Sequence, residues 1–441
     1  MLLRDVEVGG HRADVRTEGD RVTEIGRPLP RRPGEPVLDG GGGALLPGLH
    51  DHHLHLHALA AERRSLRCRD RAALAAALPA AAPDAHGWLR ATGLADDLDA
   101  AALDRLEPHR PLRVQHRSGA LWMLNTPAIA ATGLVNADHP GIERDPAGNP
   151  TGRLWRADAW LRTRLPPPPP LDLPGLGRDL LRLGITGLTD ATPDLDPASL
   201  DGVPQHVHSL GAAGTGERIT IGPRKIVLAD SALPSLDDLA ARIAAEHAHG
   251  RCVAVHCVTR EALFLLLAAF DTAGVRPGDR IEHAALVPAD TITDLARRGL
   301  RVVTQPGFLA DRGDDYLRDV PAEDHPDLYR CRSLLNAAVP LALSSDAPYG
   351  PVDPWQVMRA AVHRRTPHGD IAGPAERLTP RQALDAYLGA PGTPGGPPRR
   401  VRPGTHADLI VLRLPLAEAL HDLDAAHIAT VLLDGEPVNT A

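Results

Sequence analysis

The first forty residues alternate apolar and polar positions through LLRDVEV, HRADVRTEGD and RVTEIG, punctuated by Gly9-Gly10 and by Glu18-Gly19-Asp20. A period of two predicts short strands joined by turns. HADLIVLRL and IATVLLDGEPV repeat that pattern near the other end. Both ends are therefore expected to build one composite β domain, a small β-sandwich of residues 1–45 and 400–441. Between them the pattern changes. Apolar runs occur at ALLPGLHDHHLHL, PLRVQHRS, ITGLTDA, RKIVLA, RCVAVHC, RIEHAAL, RVVTQP and PLALSSD, with helical stretches such as LDDLAARIAAEHAHG, TREALFLLLAAFDTAG and ADTITDLARRG between several of them. A glycine-terminated helix followed by a buried strand is the mark of a βα unit. Eight such runs predict an α/β fold, a (β/α)8 TIM-like barrel over residues 46–399. The five prolines Pro166 to Pro170 predict an extended surface spacer.

Composition narrows the function. The chain has 441 residues, 43% of them hydrophobic, enough for a large aliphatic core. A formal net charge of -8 argues against nucleic-acid binding. No window approaches about 18 consecutive apolar residues, so no membrane span is expected. The start carries Arg4, Asp5 and Glu7 and no apolar core, unlike a signal peptide. Cys68, Cys252, Cys257 and Cys331 are scattered, as free thiols of a cytoplasmic protein would be. One feature of the composition concerns chemistry directly: among 48 lysines and arginines there is a single lysine, Lys225.

In a barrel, chemistry collects at the C-terminal ends of strands. His53 and His55, spaced i, i+2, share a strand face and can bind one divalent ion. His50 and His52 point the other way, and His57 lies beyond the strand end. His256 closes RCVAVH and His283 closes RIEH, one βα unit apart, so neighbouring strands would present the two rings side by side. Asp346 ends PLALSSD. Lys225 opens RKIVLAD. A surface lysine in so arginine-rich a chain would ordinarily be Arg. The chemistries that exclude Arg need a neutral amine, either Schiff-base formation or reaction with CO2. A carboxylated lysine offers two oxygens and can bridge two metal ions. It would also move the formal charge from -8 to -10.

These residues resemble the metal-dependent amidohydrolase superfamily. Pro47-Gly48-Leu49-His50-Asp51-His52-His53-Leu54-His55 matches its first-strand pattern, and PRKIVLAD, VAVHCV, RIEHA, TQPGF, SSDAP and PGTHADLIVL follow in order. Within it the chain is most similar to the YtcJ-like branch, which includes N-substituted formamide deformylase, through GITGLTDA, DPAGNPTGRLW and SSDAPYGPVDPW. It departs from that branch at Ser118-Gly119-Ala120, where Gly-His is frequent, and near Arg156, where an acid is frequent. It is also short for the branch.

The resemblance implies hydrolysis of a C–N bond (amide, formamide, carbamate or cyclic amide) in a small molecule. His53, His55 and Asp346 would hold one divalent metal. A CO2-derived carbamate on Lys225 would bridge to a second, held by His256 and His283, with zinc the default ion. Metal-activated hydroxide would attack, and Asp346 would serve as general base and then acid. Gln305, Tyr349 and Trp355 are candidates to bind substrate, and Asp190 is a candidate supporting residue. The alternatives are a mononuclear deaminase-type enzyme and a non-catalytic metal- or ligand-binding sensor. Against the deaminase, Thr259 stands where that branch usually has an acid. A homodimer is the default assembly.

Overall fold

The structure, a computed structural model, describes residues 1–167 and 170–438, so Pro168 and Pro169 of the proline spacer lie outside the described residues. The chain divides into two compact units, residues 1–56 with 173–441, and residues 57–172.

The first unit contains the strand-rich ends. Leu2–Val8, His11–Glu18 and Arg21–Gly26 pair antiparallel, and Val37–Asp39 adds parallel to the first. The turn at Gly9-Gly10 needs positive φ at both residues, 59° and 86°, which glycine adopts without strain. A second four-stranded sheet joins Leu45–Pro47 to Leu409–Leu412, Ile428–Leu433 and Glu436–Val438. Leu3, Val6, Val15 and Val22 share one apolar cluster with Leu45, Leu409, Val411 and Leu432, so residues from both ends of the chain bury one another's apolar surface.

The same unit holds two parallel sheets. One orders Leu49–Leu54, Ile185–Asp190, His206–Ser209 and Ile219–Ile221. The other orders Arg224–Val227, Val253–Cys257, Arg280–His283, Arg301–Thr304 and Leu341–Leu343. Backbone bonds run between them at two places, Lys225 N to Leu210 O at 3.0 Å and Asp346 N to His53 O at 2.8 Å. Helices Leu236–Ala248, Arg260–Ala273 and Ile292–Arg298 fall where the pattern predicts them. Ser235 and Thr259 cap the first two through side-chain oxygens, and left-handed Gly299 ends the third. Their apolar faces pack on Val253, Val255, Ile281 and Val302 in the largest core cluster.

Three strands differ from the expected set. PLRVQHRS forms the strand Leu112–His116, but in the second unit, within a six-stranded mixed sheet. His206–Ser209 and Ile219–Ile221 take places in the parallel array that the sequence pattern does not mark, because HVHS is short and half polar and ITI is only three residues long.

Candidate active site

The strand Leu49–Leu54 is buried at every position, including His50, Asp51, His52 and His53. Gly48 starts it because a side chain there would meet Thr186, with a Cβ only 2.0 Å from Thr186 Oγ1. Asp51 fixes the strand's end: its Oδ1 accepts from His53 N at 3.1 Å and from Ser345 N at 3.2 Å. Burial pushes the Asp51 carboxyl up to about 7. His50 and His52 turn away from His53, and His50 Nε2 meets Thr189 Oγ1 at 2.9 Å.

His53, His55 and Asp346 converge, with one ligand atom of each within 4.8 Å of the others. Asp346 Oδ1 lies 3.5 Å from His53 Nε2 and 3.4 Å from His55 Nε2. That oxygen is buried and accepts no hydrogen bond. An orphaned carboxylate oxygen facing two imidazole nitrogens fits a divalent cation, which would satisfy all three lone pairs. Lys225 Nζ is buried 3.2 Å from His53 Nε2. The His283 ring packs against His53 at 4.9 Å and His256 at 4.4 Å, between centroids. His283 Nδ1 lies 3.8 Å from Asp346 Oδ2. All six candidate ligands are thus assembled in one place.

Electrostatics favour the ligating forms. Burial first, then Lys225 and neighbouring groups, holds His53 well below the ordinary histidine value. Burial and then His256 and His53 do the same for His283. Both are neutral imidazoles at pH 7, the form that binds metal. Burial also lowers the Lys225 amine, against the pull of Glu282 and Asp346.

Supporting contacts orient the rings. Glu282, which strand alternation does not mark as a site residue, is fully buried and binds His53 Nδ1. A carboxylate only accepts, so His53 carries its proton on Nδ1 and presents the Nε2 lone pair to the site. Arg280 Nε holds the other oxygen of Glu282. Strand alternation would send Glu282 and His283 to opposite faces. His283 instead adopts φ 72° and Ala284 φ 46°, which breaks the alternation and brings both side chains to the same centre. Asp346, at φ 52°, is strained in the same way. Gln305 is buried and its Oε1 accepts from His283 Nδ1 at 2.9 Å, while its Nε2 donates to Ser344 Oγ. It is a ring-orienting residue. Asp190 accepts from Leu56 N and Thr192 N, both at 2.8 Å, and Thr192 Oγ1 reaches His55 Nδ1 at 3.5 Å. Tyr349 sets its ring edge against His55 at 5.7 Å. Trp355 lies elsewhere: it is buried in the apolar core at a helix start, its indole donating to Leu183 O, which is a packing position rather than a pocket wall.

Imidazoles and carboxylates converging beyond the ends of parallel strands define the class, a metal-dependent hydrolase. The chain belongs to the amidohydrolase family, whose model Amidohydro_3 matches residues 203–439, and it is an enzyme that hydrolyses C–N bonds. It is 25% identical to N-substituted formamide deformylase of Arthrobacter pascens, over 96% of this chain and 94% of that protein. It is likewise 25% identical to the amidohydrolase YtcJ of Bacillus subtilis strain 168, over 78% and 79%. These relatives are those of the YtcJ-like branch. Among solved structures it is similar in fold to an uncharacterized metal-dependent hydrolase from Pyrococcus horikoshii OT3, with a TM-score of 0.73, 18% identity and 99% of each chain covered.

Proposed function

We propose that the protein hydrolyses a non-peptide C–N bond of a small molecule (an amide, formamide, carbamate or cyclic amide) at a centre made by His53, His55, Lys225, His256, His283 and Asp346. The observation that carries this reading is the buried, unpartnered Asp346 oxygen facing two imidazole nitrogens. His53, His55 and Asp346 hold one divalent ion. Lys225, with His256 and His283, holds a second, and zinc suits these donors. Bound metal supplies Lewis acidity and lowers the pKa of water toward about 7. Asp346 takes the proton of the attacking water at its carboxylate and returns it to the leaving nitrogen. Glu282 and Gln305 keep the His53 and His283 rings in register with the site.

Lys225 carries a carbamate. Its neutral amine attacks CO2, the N–C bond forms and one proton leaves, giving a charge of −1. Burial of Nζ supports this because it disfavours the ammonium. The parallel sheets close into a (β/α)8 barrel, and residues 1–45 and 400–441 form the small sandwich. Four free cysteines, three of them buried, support a reducing, cytoplasmic setting. No helix among the described residues is long and apolar enough to cross a membrane. Against the deaminase alternative, Thr259 is a helix cap bonded to Asp230 Oδ1 at 2.7 Å.

The test is metal analysis of the purified protein together with a hydrolysis panel of formamides, acylamides, carbamates and lactams. One or two equivalents of divalent metal and turnover of at least one class are expected. Bound metal with no turnover would favour a sensor.

A further inference from the structure

The chain has only four tyrosines and three phenylalanines. Three of those tyrosines, Tyr316, Tyr329 and Tyr349, and Phe308 gather around one arginine, Arg312. They hang from the loops of the site itself: Phe308 follows Gln305, Tyr349 follows Asp346, and Tyr329 N bonds Ala285 O, two residues past His283, at 2.8 Å.

Three features of Arg312 bear on its role. It interrupts the helix Gly307–Asp319 with non-helical φ −142° and ψ 25°, which re-aims its side chain. Its guanidinium lies over Phe308, 4.1 Å from the ring centroid, and donates through Nη2 to Tyr349 O at 3.4 Å. Its Nε is buried and makes no hydrogen bond, as is also true of Arg113 and Arg377. Most arginines of this chain that are not fully exposed bond a carboxylate or several carbonyls, as Arg330 and Arg364 do. A part-buried guanidinium with spare donors is costly unless something satisfies it. Burial opposes its charge, yet Tyr316, Tyr329, Asp311 and Asp346 around it keep it protonated.

The surroundings are held rigid. Tyr329 adopts φ 44°, a strained value for an aromatic residue, and Arg364 clamps the Leu328 and Tyr329 carbonyls at 2.8 and 3.0 Å. Its phenol meets Tyr316 at 2.9 Å. A planar cation on an aromatic wall, one loop away from Asp346, matches the bidentate geometry of a carboxylate.

We infer that Arg312, with Phe308, Tyr316 and Tyr329, forms a subsite for a carboxylate on the substrate, so that the enzyme acts on amides bearing an acid group, such as N-acyl or N-formyl amino acids. This rests on the reading of the centre as a C–N hydrolase.

The test uses matched probes with and without the carboxylate: N-acetylphenylalanine (both enantiomers) against N-acetylphenethylamine, and N-formylglycine against N-methylformamide. Each is assayed on metal-loaded wild type, Arg312→Lys and Arg312→Met. The wild type is expected to prefer the acid of at least one pair by roughly 100-fold in kcat/KM, the scale of a desolvated charge pair. Arg312→Met should collapse that ratio to within about threefold and Arg312→Lys should keep part of it. Equal turnover of acid and neutral partner, or a ratio that survives Arg312→Met, overturns the inference and leaves the hydrolase reading intact. Calorimetric binding of the same acids separates the two claims when nothing is hydrolysed. Binding lost in Arg312→Met at unchanged metal content and melting temperature supports the subsite and places the missing turnover at the reaction centre or the scissile bond of the probes. Absence of any acid binding overturns the subsite.

Discussion

Among the described residues, two clusters bring histidine and carboxylate ligands close enough to hold a metal. One is His53, His55 and Asp346; the other is His206, Asp408 and Asp434. By ligand spacing alone they are equivalent. Their bonding is not. In the second, Arg218 neutralises Asp434, Asp408 Oδ1 accepts from Asp434 N at 2.8 Å, and His206 Nε2 bonds Asp434 Oδ1 at 3.2 Å. The His206 side chain is 42% exposed, so solvent completes the rest. In the first, the key carboxylate oxygen is buried and has no donor, and Glu282 fixes the tautomer of His53 so that its Nε2, turned toward that oxygen, is an acceptor. A metal site is recognised by unmet bonding in a dry place, not by proximity of ligand types.

The contrast is broken most severely at Asp346. Asp346→Asn removes the charge and the proton shuttle and is expected to lower kcat by about 1000-fold or more, measured on any substrate the panel finds. Lys225→Ala should come next, with metal content falling below that of wild type and activity lost with it. Acetate or propionate should restore part of both, whereas Lys225→Arg should stay inactive because a guanidinium does not deprotonate to react with CO2. Glu282→Gln is expected to weaken metal affinity by about 10- to 100-fold, since the Nδ1 partner of a ligating histidine sets ring orientation and basicity. Chelator competition reads it, and a shifted visible spectrum of the cobalt form would separate altered ligation from simple unfolding.

The smallest effect belongs to the second cluster. Asp434→Asn should leave metal content unchanged and cost about 0.5–1 kcal/mol at pH 7, the scale of a part-exposed ion pair. Burial raises the Asp434 carboxyl, but Arg218 and His206 more than offset it, so its folded pKa lies below the ordinary 3.8. A depressed carboxylate stabilises the fold above its unfolded pKa and loses that contribution as pH falls through the folded value. The wild type should therefore lose melting temperature more steeply than Asp434→Asn below pH 4, and the two curves should meet in acid.

Much of this centre was legible in the chain. The i, i+2 spacing of His53 and His55 marks one strand face, and Lys225 stands out because arginine fills every other basic position. His256 and His283 follow from βα periodicity. Glu282 was hidden by the same periodicity, since alternation assigns it to the face away from His283. Only the positive φ at His283 and Ala284 undoes that. The aromatic wall around Arg312 was hidden for a different reason: its members come from three separated segments, and no local pattern joins Phe308 to Tyr329 and Tyr349. A loop-adjacent tryptophan in SSDAPYGPVDPW suggests a substrate contact, but the place of Trp355 at a helix start turns it into the core. PLRVQHRS has the apolar content of a barrel strand, but apolar content does not reveal which sheet a strand joins.

The central claim is that the buried centre takes metal and the exposed cluster does not. Crystals of the zinc-loaded protein, measured at the zinc absorption edge, test it most directly. The account predicts anomalous density among His53, His55 and Asp346, a second peak beside His256 and His283 with density continuing past Lys225 Nζ, and none at His206, Asp408 and Asp434. No peak at the buried centre, or one only at the exposed cluster, would contradict it.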